Sequence, residues 1–233
     1  MIPHAGGSAK SYCCFKKYLP DSIKIVPMEI AGRTSRSDEP FFMTVQDCAR
    51  DLLDRHADII KNEKYALFGH SMGTMIATEL VSLIQTQGLP EPEHVFLSGR
   101  FAPDEIYDLI NKKNPSDDDI LSFFSVNSLL PDSVLSNKDV LNLFSKIICS
   151  DVRMTEGFSI SSDKVKFRCD ISIMYGQDDE LLKVSDMKGW TRFADKKCTF
   201  CSFPGGHFYH LDDKEAVCRI ISDTIGSEYA LLQ

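Results

Sequence analysis

Short apolar runs alternate with longer amphipathic stretches along most of this chain, the pattern of a mainly parallel sheet covered by helices. Residues 23–28 read as a strand. Residues 45–60 place Val45, Ala49, Leu52, Leu53 and Ile59/Ile60 at helical spacing. Residues 65–68 form a compact apolar run ending at Gly69, which predicts a buried strand. Residues 72–87 return to helical periodicity and stop at Gly88, with Pro90 beyond. Further strands are expected over 94–98, 171–175 and 197–203, the last closed by Pro204-Gly205-Gly206, and a final helix over 213–225.

One region breaks the alternation. Between Gly99 and Cys169 there is no strong strand candidate, only helical pieces near 104–111, 117–124 and 138–148, joined at Pro115 and Pro131. This predicts a helical insertion, residues 100–168, between two strands of the sheet. At a strand's C-terminal edge such an insertion commonly forms a lid over a site; the alternative is a packing subdomain. Phe123, Phe124, Leu129 and Leu130 are candidates to line a pocket beneath it or simply to pack its helices. The 233 residues suit a single domain carrying this insertion, spanning 1–233.

Composition narrows the function classes. A net charge of −8 argues against nucleic acid as the main partner, because phosphate binding needs a positive field. The longest apolar stretch, residues 65–84, is broken by His70, Ser71, Thr74, Thr78 and Glu79, so no membrane span is expected. No secretory signal is visible, and the 8 cysteines lack the density of a disulfide scaffold, so a cytoplasmic protein with reduced thiols is expected. Cys198 and Cys201 have CxxC spacing without a second ligand pair. They read as strand residues facing opposite sides, and no metal site is expected.

The strongest chemical signal is Gly69-His70-Ser71-Met72-Gly73, a G-x-S-x-G directly after a buried strand and directly before a helix. The glycines permit a sharp turn that exposes the Ser71 hydroxyl at the top of the sheet, over a helix N-terminus that favours developing negative charge. A serine hydroxyl needs a base, and the base an orienting carboxylate. Of the 6 histidines, His4 and His56 precede Ser71, His70 is locked in the turn, and His94 begins a strand at its wrong end. His207, following a strand and the Pro-Gly-Gly loop, is favoured over His210, whose alternative is a surface or capping role. The acid should end the preceding strand, where Asp178, Asp179 and Glu180 are adjacent; Asp179 has the reach and Asp178 is its rival. Two backbone donors must hold the tetrahedral oxyanion. The Met72 amide is one, and the Ala5 amide, in the glycine-rich His4-Ala5-Gly6-Gly7-Ser8 loop, is the candidate for the other.

These residues, with Ala31-Gly32-Arg33-Thr34-Ser35-Arg36, Glu39-Pro40, Ser98-Gly99-Arg100, Ala102-Pro103 and Pro204-Gly205-Gly206-His207-Phe208, occur in one order. Together they resemble the type II thioesterases of nonribosomal peptide and polyketide synthesis, and are similar to the medium-chain acyl thioesterase of animal fatty acid synthase. The resemblance covers nearly the whole chain and selects Asp179, three residues after Gly176. It implies a monomeric α/β-hydrolase fold enzyme. Such an enzyme would hydrolyse acyl groups from the phosphopantetheine arm of acyl or peptidyl carrier proteins, clearing stalled carriers or releasing product. No cofactor of its own is implied, since the phosphopantetheine belongs to the partner. The family usually has a strand upstream of the glycine-rich loop, beside the one carrying the serine. Here the sequence starts at Met1-Ile2-Pro3, so that N-terminal strand is expected to be missing. Two other readings stand beside this one, a small-molecule carboxylesterase and a truncated paralogue that binds carriers with little turnover. Docking to a carrier would rest on Lys10, Lys16, Lys17 or Arg100 and on apolar contacts around the lid.

Overall fold

The computed structural model describes residues 1–105, 110, 114–130, 132–182 and 187–230. In chain order its elements are α1 (Val45–Arg55), α2 (Ala57–Asn62), β1 (Ala66–His70), α3 (Met72–Thr86) and β2 (His94–Ser98). Then come α4 (Asp117–Val126), α5 (Asp132–Leu135), α6 (Lys138–Thr155), β3 (Asp170–Gly176), β4 (Cys198–Phe203), α7 (Tyr209–Asp212) and α8 (Lys214–Ala230). The strands form a 4-stranded sheet in the order β1-β2-β3-β4. Every pairing is parallel, with Phe68 opposite Phe96 and Met174 opposite Cys201. β1, β2 and β3 are buried on both faces, which is why these runs are largely apolar, whereas the edge strand β4 is only partly covered.

Alternation along each strand divides the core. Leu67, Val95, Leu97, Ile171 and Ile173 meet α1 and α3 on one face. Phe68, Phe96, Met174 and Phe203 face the other way, onto Tyr12, Phe15, Val217 and Ile221. Cys198 packs with the first group and Cys201 with the second, so the CxxC pair does straddle the sheet. Helix α3, wedged between α1 and the sheet, is buried almost all round. The insertion has a core of its own, with Ile120, Phe124, Leu129, Ile148 and Val152 at its centre, and Ala5, Leu181 and Phe208 packed against it. Those three belong to the loops of the expected catalytic groups.

The local signals explain the boundaries. Thr44 caps α1 by accepting the Asp47 N–H at 3.1 Å. The expected helix over 45–60 breaks at His56, whose backbone (φ −111, ψ 16) leaves the helical region before α2 starts. The helical piece near 104–111 falls largely outside the described residues. The strand expected over 23–28 does not form. A ladder needs a continuous neighbour, and this segment has only Met1, which donates to the Val26 carbonyl and accepts from the Met28 N–H, each at 2.9 Å.

Among the described residues, the place beside β1 that the resemblance gives to an upstream strand is held by a single residue. Ile2 donates to the Phe68 carbonyl at 2.8 Å and accepts from the His70 N–H at 3.3 Å, an isolated parallel bridge. Below Ile2 the outer edge of β1 borders a groove of about 640 Å³ lined by Met1, Leu19, Ile23, Ile25 and Phe68 among others.

Candidate active site

Ser71 lies between β1 and α3 at φ 53, ψ −114, a conformation L-residues rarely adopt. The turn is held by the Ser71 N–H to the Ser98 carbonyl at 2.7 Å and by the Thr74 N–H to the Ser71 carbonyl at 3.0 Å. Its glycines are required by space. A Cβ on Gly69 would fall on the Gly73 carbonyl oxygen, and one on Gly73 on the Ile2 carbonyl oxygen, both inside contact distance. The strained turn projects the serine from the C-terminal edge of the sheet and starts α3 directly behind it, with Met72 buried as its first residue.

His207 and Asp179 meet on the loops after β4 and β3. Asp179 Oδ2 is 2.7 Å from His207 Nδ1, and the Asp179 side chain is fully buried while the imidazole is 8% exposed. Its other oxygen accepts the Leu181 N–H at 3.1 Å. Asp178 and Glu180 are exposed, so burial and contact both single out Asp179 from the carboxylate run. Backbone bonds fix the two loops to each other: Gln177 N–H to the Phe203 carbonyl at 2.8 Å and Asp178 N–H to the Gly205 carbonyl at 2.9 Å. Gly176 lets them approach, since a Cβ there would clash with the Gly206 carbonyl.

Ser71, His207, Met72 and Ala5 line one chamber of about 40 Å³, closed by Phe124, Leu129 and Val152 of the insertion and by Leu181 and Phe208. Phe124 and Leu129 thus serve both as insertion core and as chamber wall. Arg100, a docking candidate by its charge, lines this chamber as well, and burial draws its pKa down to about 10. Gly99, at φ 68, turns the chain off the end of β2 toward the chamber rather than the surface. Lys10, Lys16 and Lys17 are exposed.

The glycine-rich loop is tied at both ends. Gly7 N–H closes on the His4 carbonyl at 2.9 Å, and Gly6 adopts φ 76. Gly6 N–H donates to Asp151 Oδ2 at 2.8 Å, and the Gly7 carbonyl accepts from Arg33 Nη1 at 3.0 Å. Arg33 and Asp151 are joined by a bidentate pair, Nη1–Oδ2 at 2.8 Å and Nη2–Oδ1 at 2.5 Å, each side chain 2% exposed. Burial opposes the charge on Arg33, but the Asp151 carboxylate outweighs it and leaves the pKa raised.

Behind His207 stands a group of buried imidazoles. His70 and His210 are fully buried, with ring centroids 3.8 Å apart, and His207 is 4.8 Å from His70. His210 is therefore a core residue, not a surface or capping one. Burial drives the pKa of His4 down to about 3 and those of His70 and His210 well below the usual value, with the neighbouring imidazoles adding to the effect. These rings stay neutral at physiological pH. His70 Nδ1 lies 2.8 Å from Ser98 Oγ, which lies 2.6 Å from the Tyr209 hydroxyl. His94, at the other end of its strand, is occupied with Ser172 at 2.9 Å.

Sequence reasoning missed two features of this site, the imidazole group and the Arg33–Asp151 pair. Asp151 carried a signal, a carboxylate in an apolar stretch between Ile147, Ile148, Val152 and Met154. Its partner lies 118 positions away, beyond any local pattern.

A family model described as "Thioesterase domain" matches residues 1–225 of the chain. The chain is 26% identical over 227 residues to the gramicidin S biosynthesis protein GrsT of Aneurinibacillus migulanus, covering 94% of this chain and 86% of that protein. It is 27% identical over 214 residues to the medium-chain S-acyl fatty acid synthase thioesterase of Rattus norvegicus, covering 89% of this chain and 79% of that one. Among solved structures, ClbQ from the colibactin NRPS/PKS pathway superposes with a TM-score of 0.88 at 29% identity, covering 99% of this chain and 97% of that one.

Proposed function

This chain belongs to the thioesterase family, whose domain spans residues 1–225, and from that premise we propose a serine hydrolase that frees acyl groups from the phosphopantetheine thiol of carrier proteins. The parallel sheet with its Ser-bearing turn is the α/β-hydrolase arrangement of its structural neighbours. Relatives named for gramicidin S biosynthesis and for fatty acid synthase support a role beside a carrier-dependent synthase, clearing aberrant acyl groups or releasing product. We also place the enzyme in the cytoplasm, a compartment that keeps thiols such as those of its 8 cysteines reduced.

The observation that carries this reading is the 2.7 Å contact of a fully buried Asp179 with His207, in the chamber that also holds the strained Ser71. The Asp179 carboxylate accepts from Nδ1–H, which leaves Nε2 as the basic nitrogen. Nε2 takes the Ser71 proton as Oγ attacks the thioester carbonyl carbon. The carbonyl oxygen becomes an oxyanion that the Met72 and Ala5 amides stabilise. The C–S bond then breaks, the thiolate takes the proton from His207, and an acyl-Ser71 ester remains. Water, deprotonated by His207, attacks that ester; the carboxylic acid leaves and the proton returns to Ser71. A thiolate is a good leaving group, so the late proton transfer matters less than for an amide. Each step uses side chains and backbone of this chain, and the phosphopantetheine enters as part of the substrate.

The test is acyl release from acetyl- and longer acyl-loaded carrier protein, set against the Ser71→Ala variant and against an oxygen ester of the same acyl group. Release lost in the variant and strongest for the carrier thioester is the expected result. Strong preference for the oxygen ester would make the enzyme a carboxylesterase instead.

A further inference from the structure

Asp151 is carried by α6, inside the insertion, yet its hydrogen bonds run to the N-terminal loops. It takes the Gly6 N–H at 2.8 Å with one oxygen and holds Arg33 with both. Arg33 in turn donates to the Gly7 carbonyl at 3.0 Å. The residue between His4 and this doubly anchored Gly6-Gly7 pair is Ala5, whose amide is the second oxyanion donor in our reading. The backbone packs on the same helix: a Cβ on Gly6 would lie 2.7 Å from Ile148 Cγ1, three residues before Asp151.

We propose that the buried Arg33–Asp151 pair is a positioning clamp that aims the Ala5 amide at the oxyanion and does so only while α6 is seated on the glycine-rich loop. The geometry is economical for this purpose. A carboxylate that only neutralised Arg33 would leave the Gly6 N–H to other partners, and an arginine that only neutralised Asp151 would not need the Gly7 carbonyl. Here each charged group also holds one backbone atom of the same loop. An insertion that lifted α6 would withdraw the Gly6 acceptor and loosen Arg33 together, so that the donor loses its aim before substrate leaves. A loosely held donor is a poor one, because stabilisation of the oxyanion depends on dipoles fixed in advance. Arg33 and Asp151 are positioning residues; neither lines the chamber.

The proposal rests on the oxyanion-hole reading above, and the test separates the two. Three variants are compared with the native chain: Asp151→Asn, the apolar double Arg33→Met/Asp151→Leu, and the swap Arg33→Asp/Asp151→Arg. The double variant removes both buried charges and so escapes the penalty of stranding one. Readouts are kcat and KM for acyl-carrier hydrolysis, inhibition by an alkylboronic acid that forms a tetrahedral adduct with serine, and thermal stability. In the double variant we expect kcat to fall about 10- to 100-fold with KM within about twofold, and boronate inhibition to weaken by a similar factor. Asp151→Asn keeps an acceptor for Gly6 but strands the buried Arg33 charge, so it should lose more thermal stability than the double variant while kcat of the folded enzyme falls less. The swap should regain stability through its remade ion pair but not kcat, because Gly6 N–H would then face a cation. A folded double variant with native kcat, or a swap that restores kcat, would sink the clamp while leaving the hydrolase intact. A native chain that binds the boronic acid no tighter than the matching carboxylic acid would overturn the oxyanion hole and the clamp together.

Discussion

Ser71, Asp179 and His207, the proposed catalytic groups, come from turns at the ends of three different strands, and each is fixed by something other than the other two. Ser71 is held by the Ser98 carbonyl, Asp179 by the Leu181 N–H, and the His207 loop by its backbone bonds to the Asp179 loop. Ser71→Ala should lower kcat by at least about 10³-fold with little change in melting temperature. Asp179→Asn should cost about 10³- to 10⁴-fold, because an amide cannot hold the imidazole in the tautomer that leaves Nε2 basic. Asp178→Asn should stay within about twofold, since that side chain is exposed and points its charge at water. Steady-state hydrolysis of one acyl-carrier substrate by all three variants checks the ranking, and a loss at Asp178 matching that at Asp179 would reverse the assignment. At this scale the sequence was informative wherever chemistry imposes a local pattern. The glycines around Ser71 and the Pro-Gly-Gly before His207 are such patterns. The choice of Asp179 over Asp178 depended on which carboxylate the loop buries, and only family resemblance or coordinates could supply that.

The turn between β1 and α3 is where element packing meets the proposed nucleophile. Gly73 is the second residue of α3, and a side chain there would strike the carbonyl of Ile2, which bridges the outer edge of β1. Gly73→Ala should therefore destabilise the protein by about 1–3 kcal/mol, the usual range for overpacking, despite the better helix propensity of alanine. Urea denaturation checks it; a stabilised variant would mean that propensity decides and the contact is slack. Elements were legible in proportion to how much of their stability is local. Short runs rich in apolar residues became strands within a residue or two of the expected bounds, as at β2 and β4. The segment over 23–28 has the same look but no ladder to join, and strand pairing is set by neighbours rather than by composition. The break at His56 was equally hidden, because the apolar spacing runs across it without interruption.

At the scale of the whole molecule the buried imidazoles make folding sensitive to acid. A histidine in the unfolded chain titrates near 6.5, whereas burial takes His4 down to about 3 and His70 and His210 well below the usual value. Below about pH 6.5 the unfolded chain therefore binds protons that the folded chain refuses, and stability falls as pH falls. The stabilisation is fully present above the unfolded value. For each such histidine it declines by about 1.4 kcal/mol per pH unit, until the folded pKa is reached. His70 and His210, both fully buried, act in the same direction as His4, so their losses reinforce one another as the pH falls below about 6.5. Urea midpoints measured from pH 8 to 4 should be flat down to about 6.5 and then drop steeply. His210→Phe, which keeps a ring in the stack and removes one proton site, should make that drop shallower. Its activity should be retained, because His210 does not line the chamber. An unchanged slope in this variant would mean that His210 is protonated in the folded state, and the neutral stack behind His207 would have to be abandoned.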